Sequence, residues 1–193
     1  MKQVIVNQGN INVKDVPAPS IEKGKILVKV VNSCISSGTE LSGIKSSGIP
    51  LWKRAINDPS KAIEFAKKTI KDGVSESKST IQNVLQSDMS IGYSNSGYVI
   101  GVGDGISNVK IGDRVACAGA QCAFHAEIVS VPKNLFVKVP HNVSFADAST
   151  VALGAIALQG VRRVEPTLGE FIVVVGLGIL GQLTVQLLKA NGC

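Results

Sequence analysis

Hydrophobic positions recur along this chain with two different spacings. Short β-branched runs broken by turn residues fill the first 40 positions and again positions 92–140, with helically spaced segments between and after them. Val4-Ile5-Val6, then Asn7-Gln8-Gly9-Asn10, then the alternating Ile11-Asn12-Val13-Lys14-Asp15-Val16 predict a hairpin. Pro17 and Pro19 end it, and Lys23-Gly24-Lys25 leads into Ile26-Leu27-Val28-Lys29-Val30-Val31, whose near-continuous apolar content predicts a buried strand.

From about Leu41 to Met89 the pattern turns helical. Asp58 can cap, Pro59 suits a first helical position, Ile63, Ala66 and Ile70 share a face, and Gly73 can close the C-terminus; a second helix carries Ile81, Val84 and Leu85. The β pattern resumes with Gly92–Val102, the turn and strand Ile111-Gly112-Asp113-Arg114-Val115, the alternating Ala126–Val131 ended by Pro132, and Leu135–Pro140. Short strands at this spacing predict a small, partly open β-barrel interrupted by a helical insertion over about 44–89. From Ser144 a small-residue helix is expected, running from Phe145 through Ala152 and Ala157 to Val164.

The last segment has its own signature. Phe171-Ile172-Val173-Val174-Val175 reads as a buried-type strand, Gly176-Leu177-Gly178-Ile179-Leu180-Gly181 follows at once, and Gln182–Lys189 reads as a helix. A strand, G-x-G-x-x-G and helix in succession is the arrangement that cradles a dinucleotide pyrophosphate. The first glycine makes the tight turn, the second lets the ligand approach the backbone, and the third lets helix and strand pack closely. The fold class expected is therefore mainly β with α: a barrel followed by the first βα unit of a Rossmann fold.

Charge and composition narrow the partners. The net charge is +6, and many of the basic residues fall in one segment, at Lys53, Arg54, Lys61, Lys67, Lys68, Lys71 and Lys78, with Asp58, Glu64, Asp72 and Glu76 among them. That segment is expected to be a solvated helix face, or else to attract an anionic small molecule; aromatics at 4% are too few for a nucleic-acid stacking platform. No run approaches the roughly 18 apolar residues of a membrane span, and Met1-Lys2-Gln3-Val4-Ile5 lacks a signal-peptide layout, so a cytoplasmic location without membrane contact is expected. Cys34, Cys117, Cys122 and Cys193 have no paired spacing and read as free thiols.

The glycine turn, Gly112-Asp113-Arg114-Val115 and Leu168-Gly169-Glu170 together resemble the medium-chain dehydrogenase/reductase (alcohol dehydrogenase-like) superfamily over essentially the whole chain. The resemblance implies a GroES-like substrate-side domain over 1–157 and, over 158–193, a linking helix and the start of a Rossmann domain binding NAD or NADP. In that family two Cys and a His hold a catalytic zinc. Thr39-Glu40 matches the family's Thr-Asp pair, which puts Ser37 at one zinc-ligand position, Tyr93 and Ser94 at the His-Glu pair and Ala152 at the second Cys. No zinc is expected there. The family's four-cysteine lobe is reduced to Cys117, Cys122 and His125, which with Cys34 leaves a relocated metal site as an alternative to buried thiols and a strand histidine.

The phrases Ile35-Ser36-Ser37-Gly38-Thr39-Glu40 and Leu153–Gly160 resemble more narrowly a zinc-independent bacterial branch often fused to a Gfo/Idh/MocA-type oxidoreductase. What this implies is hydride transfer between a nicotinamide and a hydroxyl or carbonyl carbon of a small molecule, such as an anionic sugar or nucleotide-sugar. Tyr93 and Thr39 would donate hydrogen bonds to the developing alkoxide, with Glu40 orienting them. The alternative class is a non-catalytic binding or assembly module. One βα unit alone predicts a chain that is part of a longer enzyme and inactive by itself. Its apolar strand 171–175 would be an unpaired edge, so a homo-oligomer is expected.

Overall fold

The structure, a computed structural model, describes residues 1–48 and 88–193. The basic segment Lys53–Lys78, the caps and faces from Asp58 to Gly73 and the second helix at Ile81–Leu85 lie outside the described residues. The chain divides into two compact units. One comprises Met1–Gln3, Asp15–Ser36 and Gly92–Cys193; the other comprises Val4–Lys14 and Ser37–Ile91.

The second unit contains most of the N-terminal hairpin. Strands β1 (Lys2–Asn7) and β2 (Asn10–Asp15) are joined by Gln8 and Gly9, both at positive φ (48° and 82°), the condition for a two-residue type I′ turn. Helix α1 (Ser37–Ser47) follows, and the short strand β4 (Met89–Ser90) adds to β1 antiparallel, giving the order β2-β1-β4. Ser47 Oγ accepts from the Gly9 amide and donates to Ile44 C=O, tying the end of α1 to the hairpin turn.

The first unit is built on a five-stranded antiparallel sheet. Its strands are β3 (Lys25–Ser33), β5 (Ser94–Val102), β6 (Arg114–Ala118), β7 (Ile128–Pro132) and β8 (Phe136–Lys138), in the order β7-β3-β5-β6-β8. Alternation sends one face of each strand inward. Ile26, Val28, Val99, Val115, Cys117, Val129 and Val131 form the core, each buried aliphatic contributing about 1.5–3 kcal/mol. Only Ile26–Val28 of the expected buried run is buried; Lys29 and Val31 are exposed, since β7 pairs with β3 only as far as Lys29 while β5 continues to Ser33 with a register shift between Val30 and Asn32. The strand expected from Ala126 starts at Ile128, since Ala126 instead bridges Gln3 and the Glu127 amide bonds to Lys2 C=O.

After β8 the chain becomes helical, and the single helix expected over 145–164 is two: α2 (Phe145–Ala148) and α3 (Val151–Val164). The break has a local cause. Ser149 Oγ and Thr150 Oγ1 turn back onto the Ala146 and Asp147 carbonyls, an alternative to continuing the helical ladder that the spacing of small residues does not reveal. Ser144 caps α2 by accepting from the Asp147 amide. The 157/158 division expected from the sequence falls within α3, which packs against the final helix α4 (Ile179–Ala190). Mainly β with α is thus the observed class. Among the described residues no helix is long and apolar enough to cross a membrane.

Candidate functional site

The glycine turn at the head of α4 has the geometry its spacing predicts. Gly176 has φ +99°, a left-handed conformation that side chains disfavour. Gly178 occupies the N-cap, and its carbonyl accepts the first helical bond, from the Gln182 amide at 2.9 Å. A Cβ on Gly181 would lie 2.0 Å from Gly176 O, so only glycine lets the helix sit this close to the turn. A Cβ on Gly178 would meet nothing within 4 Å. Gly176 and Gly181 are therefore required by the chain's own conformation, whereas Gly178 is required by neither backbone strain nor packing.

Gly178 brings no capping side chain, and the first turn of α4 holds no acidic residue. The opening amides, those of Ile179, Leu180 and Gly181, lack intrahelical acceptors as in any helix, and the helix dipole adds partial positive charge there. Leu177 is exposed, and so are Ile179 and Leu180, which flank the turn with apolar surface. The arrangement suits a phosphate group held by backbone amides with an apolar surround.

The run 171–175 departs from the expected buried-type strand. Among the described residues it joins no sheet: Phe171, Val173 and Val175 are 103%, 88% and 96% exposed, while Ile172 and Val174 are half-buried. Its apolar content reports that both faces can be covered, as in the strands of a parallel sheet, and covering requires neighbouring strands.

The substrate-side residues fall into two groups. Thr39 and Glu40 stand in the first turn of α1, which begins at Ser37, where the sequence suggested a strand-end turn; Thr39 is exposed and Glu40 is buried. Tyr93, in the other unit, is half-buried immediately before β5, and its carbonyl accepts from the Gly119 amide. Ser94 is fully buried. Its Oγ donates to Ser149 C=O at 2.6 Å and accepts from the Ala152 amide at 3.1 Å. Ser94, at the Glu of the family's His-Glu pair, and Ala152, at the position of its second zinc Cys, thus come together although far apart in sequence. The Ser94 hydroxyl is committed to the main chain, and Ala152 has only a methyl.

The cysteine–histidine cluster resolves differently. Among the described residues no group of three or more His, Cys, Asp and Glu side chains is arranged to hold a metal ion. Cys117 and Cys122 are buried, and none of the four cysteines forms a disulfide. Burial, and secondarily the neighbouring Cys122, pushes the Cys117 thiol up to about 12; burial raises Cys122 as well. Neither supplies a thiolate at neutral pH. Cys122 Sγ donates to the Ala118 and Gly119 carbonyls at 3.6 and 3.7 Å, and His125 Nδ1 lies 2.9 Å from Ser33 Oγ. Ser33 carries no sequence signal that would single it out. A Cβ on Gly92, which has φ +106°, would lie 2.6 Å from the His125 amide nitrogen.

No family model matches the chain. Among curated proteins it is 28% identical over 209 aligned positions to (R,R)-butanediol dehydrogenase of Bacillus subtilis, covering 96% of this chain and 54% of that protein. It is 32% identical over 96 positions to D-guloside 3-dehydrogenase of Escherichia coli, covering 50% of this chain and 27% of that protein. Among solved structures, 2R,3R-butanediol dehydrogenase of B. subtilis superposes with a TM-score of 0.69 at 26% identity, covering 99% of this chain and 55% of that one. Galactitol-1-phosphate dehydrogenase of E. coli superposes with a TM-score of 0.74 at 18% identity, over 100% and 53%. These homologues and structural neighbours are medium-chain, zinc-type alcohol dehydrogenase superfamily members. The chain spans about half the length of the curated relatives it matches most extensively.

Proposed function

We propose that this chain supplies the substrate-side domain, over 1–157, and the opening of the cofactor domain, over 158–193, of an NAD(P)-dependent dehydrogenase acting on a hydroxyl carbon of a polyol or sugar. The observation that carries this reading is the turn Gly176–Gly181, in which two glycines answer to conformation and packing and Gly178 answers to neither. Close approach of a pyrophosphate accounts for the missing side chain at Gly178, and the amides of Ile179, Leu180 and Gly181 would hold it. When bound, the nicotinamide supplies the hydride acceptor or donor.

The rest falls to the chain's own side chains. The Thr39 and Tyr93 hydroxyls donate hydrogen bonds to the oxygen that gains charge, and Glu40 orients them. Zinc is not assigned a part, because the residues at the expected ligand positions, Ser37, Tyr93 and Ala152, offer a hydroxyl, a phenol and a methyl in place of two thiolates and an imidazole. The names of the curated relatives favour an uncharged diol, sugar alcohol or sugar ring as substrate. The basic segment that suggested an anionic substrate lies outside the described residues.

Fluorescence titration of the complete protein with NADH and NADPH tests the reading, followed by turnover of 2,3-butanediol and sorbitol with and without a chelator. Saturable dinucleotide binding with chelator-insensitive oxidation is expected. Absence of dinucleotide binding would leave a non-catalytic module, and chelator-sensitive turnover would restore a metal.

A further inference from the structure

Strand β2 is exposed along its whole length. All the residues from Asn10 to Asp15 face solvent, and among the described residues β1 is the strand's one neighbour in the sheet. Ile11 and Val13 leave 56% and 64% of their surface exposed. Edge strands are commonly blunted by a proline or by unpaired charge. β2 contains no proline, and its two charges are spent within the chain: Lys14 pairs with Asp88 at 2.7 Å and Asp15 with Lys2 at 3.7 Å.

The hairpin fixes which groups of β2 face outward. The Met1 amino group donates to Val16 C=O at 2.8 Å and the Val16 amide donates to Met1 C=O at 2.9 Å, so this pair exchanges both bonds. At the other end the two-residue turn Gln8-Gly9 sets Asn7 opposite Asn10. Both ends agree on one register, and the alternation of an antiparallel ladder turns the amides and carbonyls of Asn10, Asn12 and Lys14 toward β1. Those of Ile11, Val13 and Asp15 point away from it, along the open edge.

This edge is complementary to itself. Outward-bonding residues must meet outward-bonding residues, and a two-fold axis at Asn12 sets Ile11 of one copy opposite Val13 of the other and Val13 opposite Ile11. Asn12 then meets Asn12, and Lys14 meets Asn10. An axis at Val13 would instead set each Ile11 opposite Asp15. Apolar β-branched pairs across strands stabilise a sheet, and the two-fold axis makes each such contact twice.

We propose that β2 is an interface with a second copy of this chain, the two hairpins joining edge to edge and antiparallel about an axis at Asn12. The strands β4-β1-β2 and the same three of the second copy then form one continuous sheet. The interface goes beyond the dehydrogenase reading, does not depend on it, and is separate from the exposed run 171–175. One pair of short strands buries less than the roughly 1,000 Å² of a stable interface, so the dimer dissociates on dilution.

Sedimentation of the complete protein from micromolar to submillimolar concentration should show a monomer–dimer equilibrium. Ile11→Lys combined with Val13→Lys sets like charges opposite each other across the axis and should weaken dimerisation at least about tenfold. Both side chains are exposed, so the melting temperature at low concentration should stay that of the parent. Across the axis the two Asn12 residues form a non-hydrogen-bonded pair with Cα atoms about 4.5 Å apart, within the span of about 4.4–6.8 Å that a disulfide bridges. Asn12→Cys should therefore give a 12–12 cross-link under mild oxidation, identified by peptide mass mapping, whereas Asn10→Cys, opposite Lys14, should not join its own copy. A monomer throughout the range, a dimer that the double lysine variant retains, or no 12–12 cross-link would overturn the interface.

Discussion

Ser94 Oγ accepts a hydrogen bond from the Ala152 amide at 3.1 Å and donates one to Ser149 C=O at 2.6 Å. Thr150 is the N-cap of α3 but gives its own hydroxyl to Asp147 C=O and makes no side-chain capping bond. The second amide of α3 is therefore capped from another element, by a strand residue 58 positions away. Ser94→Ala should destabilise the chain by about 1–3 kcal/mol, because it strands two buried main-chain groups. Urea denaturation would measure it. A loss under about 0.5 kcal/mol, the scale of an ordinary surface change, would mean the cap is redundant.

The two glycines flanking the first turn of α4 should separate when each is changed to alanine. Gly181→Ala places a methyl 2.0 Å from Gly176 O and should lower the melting temperature as well as dinucleotide binding. Gly178→Ala meets nothing within 4 Å and should leave stability within about 1 kcal/mol while weakening NADH binding at least about tenfold. Equal binding by Gly178→Ala and the parent would remove the ligand explanation for that glycine.

Cys117 should make stability fall on the alkaline side. Its folded-state pKa is raised by burial to about 12, so the folded chain keeps a proton that the unfolded chain loses near the free-thiol value of about 8.5. The contribution is fully present below that value and is lost as pH rises towards 12, at up to about 1.4 kcal/mol per pH unit. Denaturation series from pH 8 to about 11.5 on the parent and Cys117→Ala should show the steeper decline in the parent. Parallel slopes would show that Cys117 titrates normally. At neutral pH the half-buried Cys34 and Cys193 should react with a thiol reagent well before Cys117 and Cys122.

Phe171, Val173 and Val175 present three nearly fully exposed apolar side chains within five residues. The 193-residue chain should self-associate with rising concentration, and Phe171→Glu combined with Val173→Lys should suppress it. Analytical ultracentrifugation showing a monomer for the parent chain across the range would refute the expectation.

What the sequence disclosed and what it hid follow different physics. Turn chemistry and β-branched runs located the hairpin at Gln8-Gly9, the strands of the five-stranded sheet and the Gly176–Gly181 turn, because each depends on conformational preferences that individual residues carry. The break between α2 and α3 was invisible, since apolar spacing continues through it and only two hydroxyls turning back reveal it. Ser36-Ser37-Gly38-Thr39 reads as turn chemistry, yet α1 starts at Ser37. His125 could be noticed as a possible ligand, but its contact with Ser33, 92 residues away, is set by sheet register rather than by any spacing along the chain.

The approach of Gly92 to His125 also limits how relatives of this chain can diverge. A side chain at position 92 would demand that residue 125 withdraw, and the Asn95 bond to the Phe124 carbonyl opposes that movement. Because the nearest atom is the main-chain nitrogen of residue 125, which any replacement there keeps, and Gly92 holds φ +106°, a family tree of such proteins would show glycine retained at 92 even where the imidazole is lost.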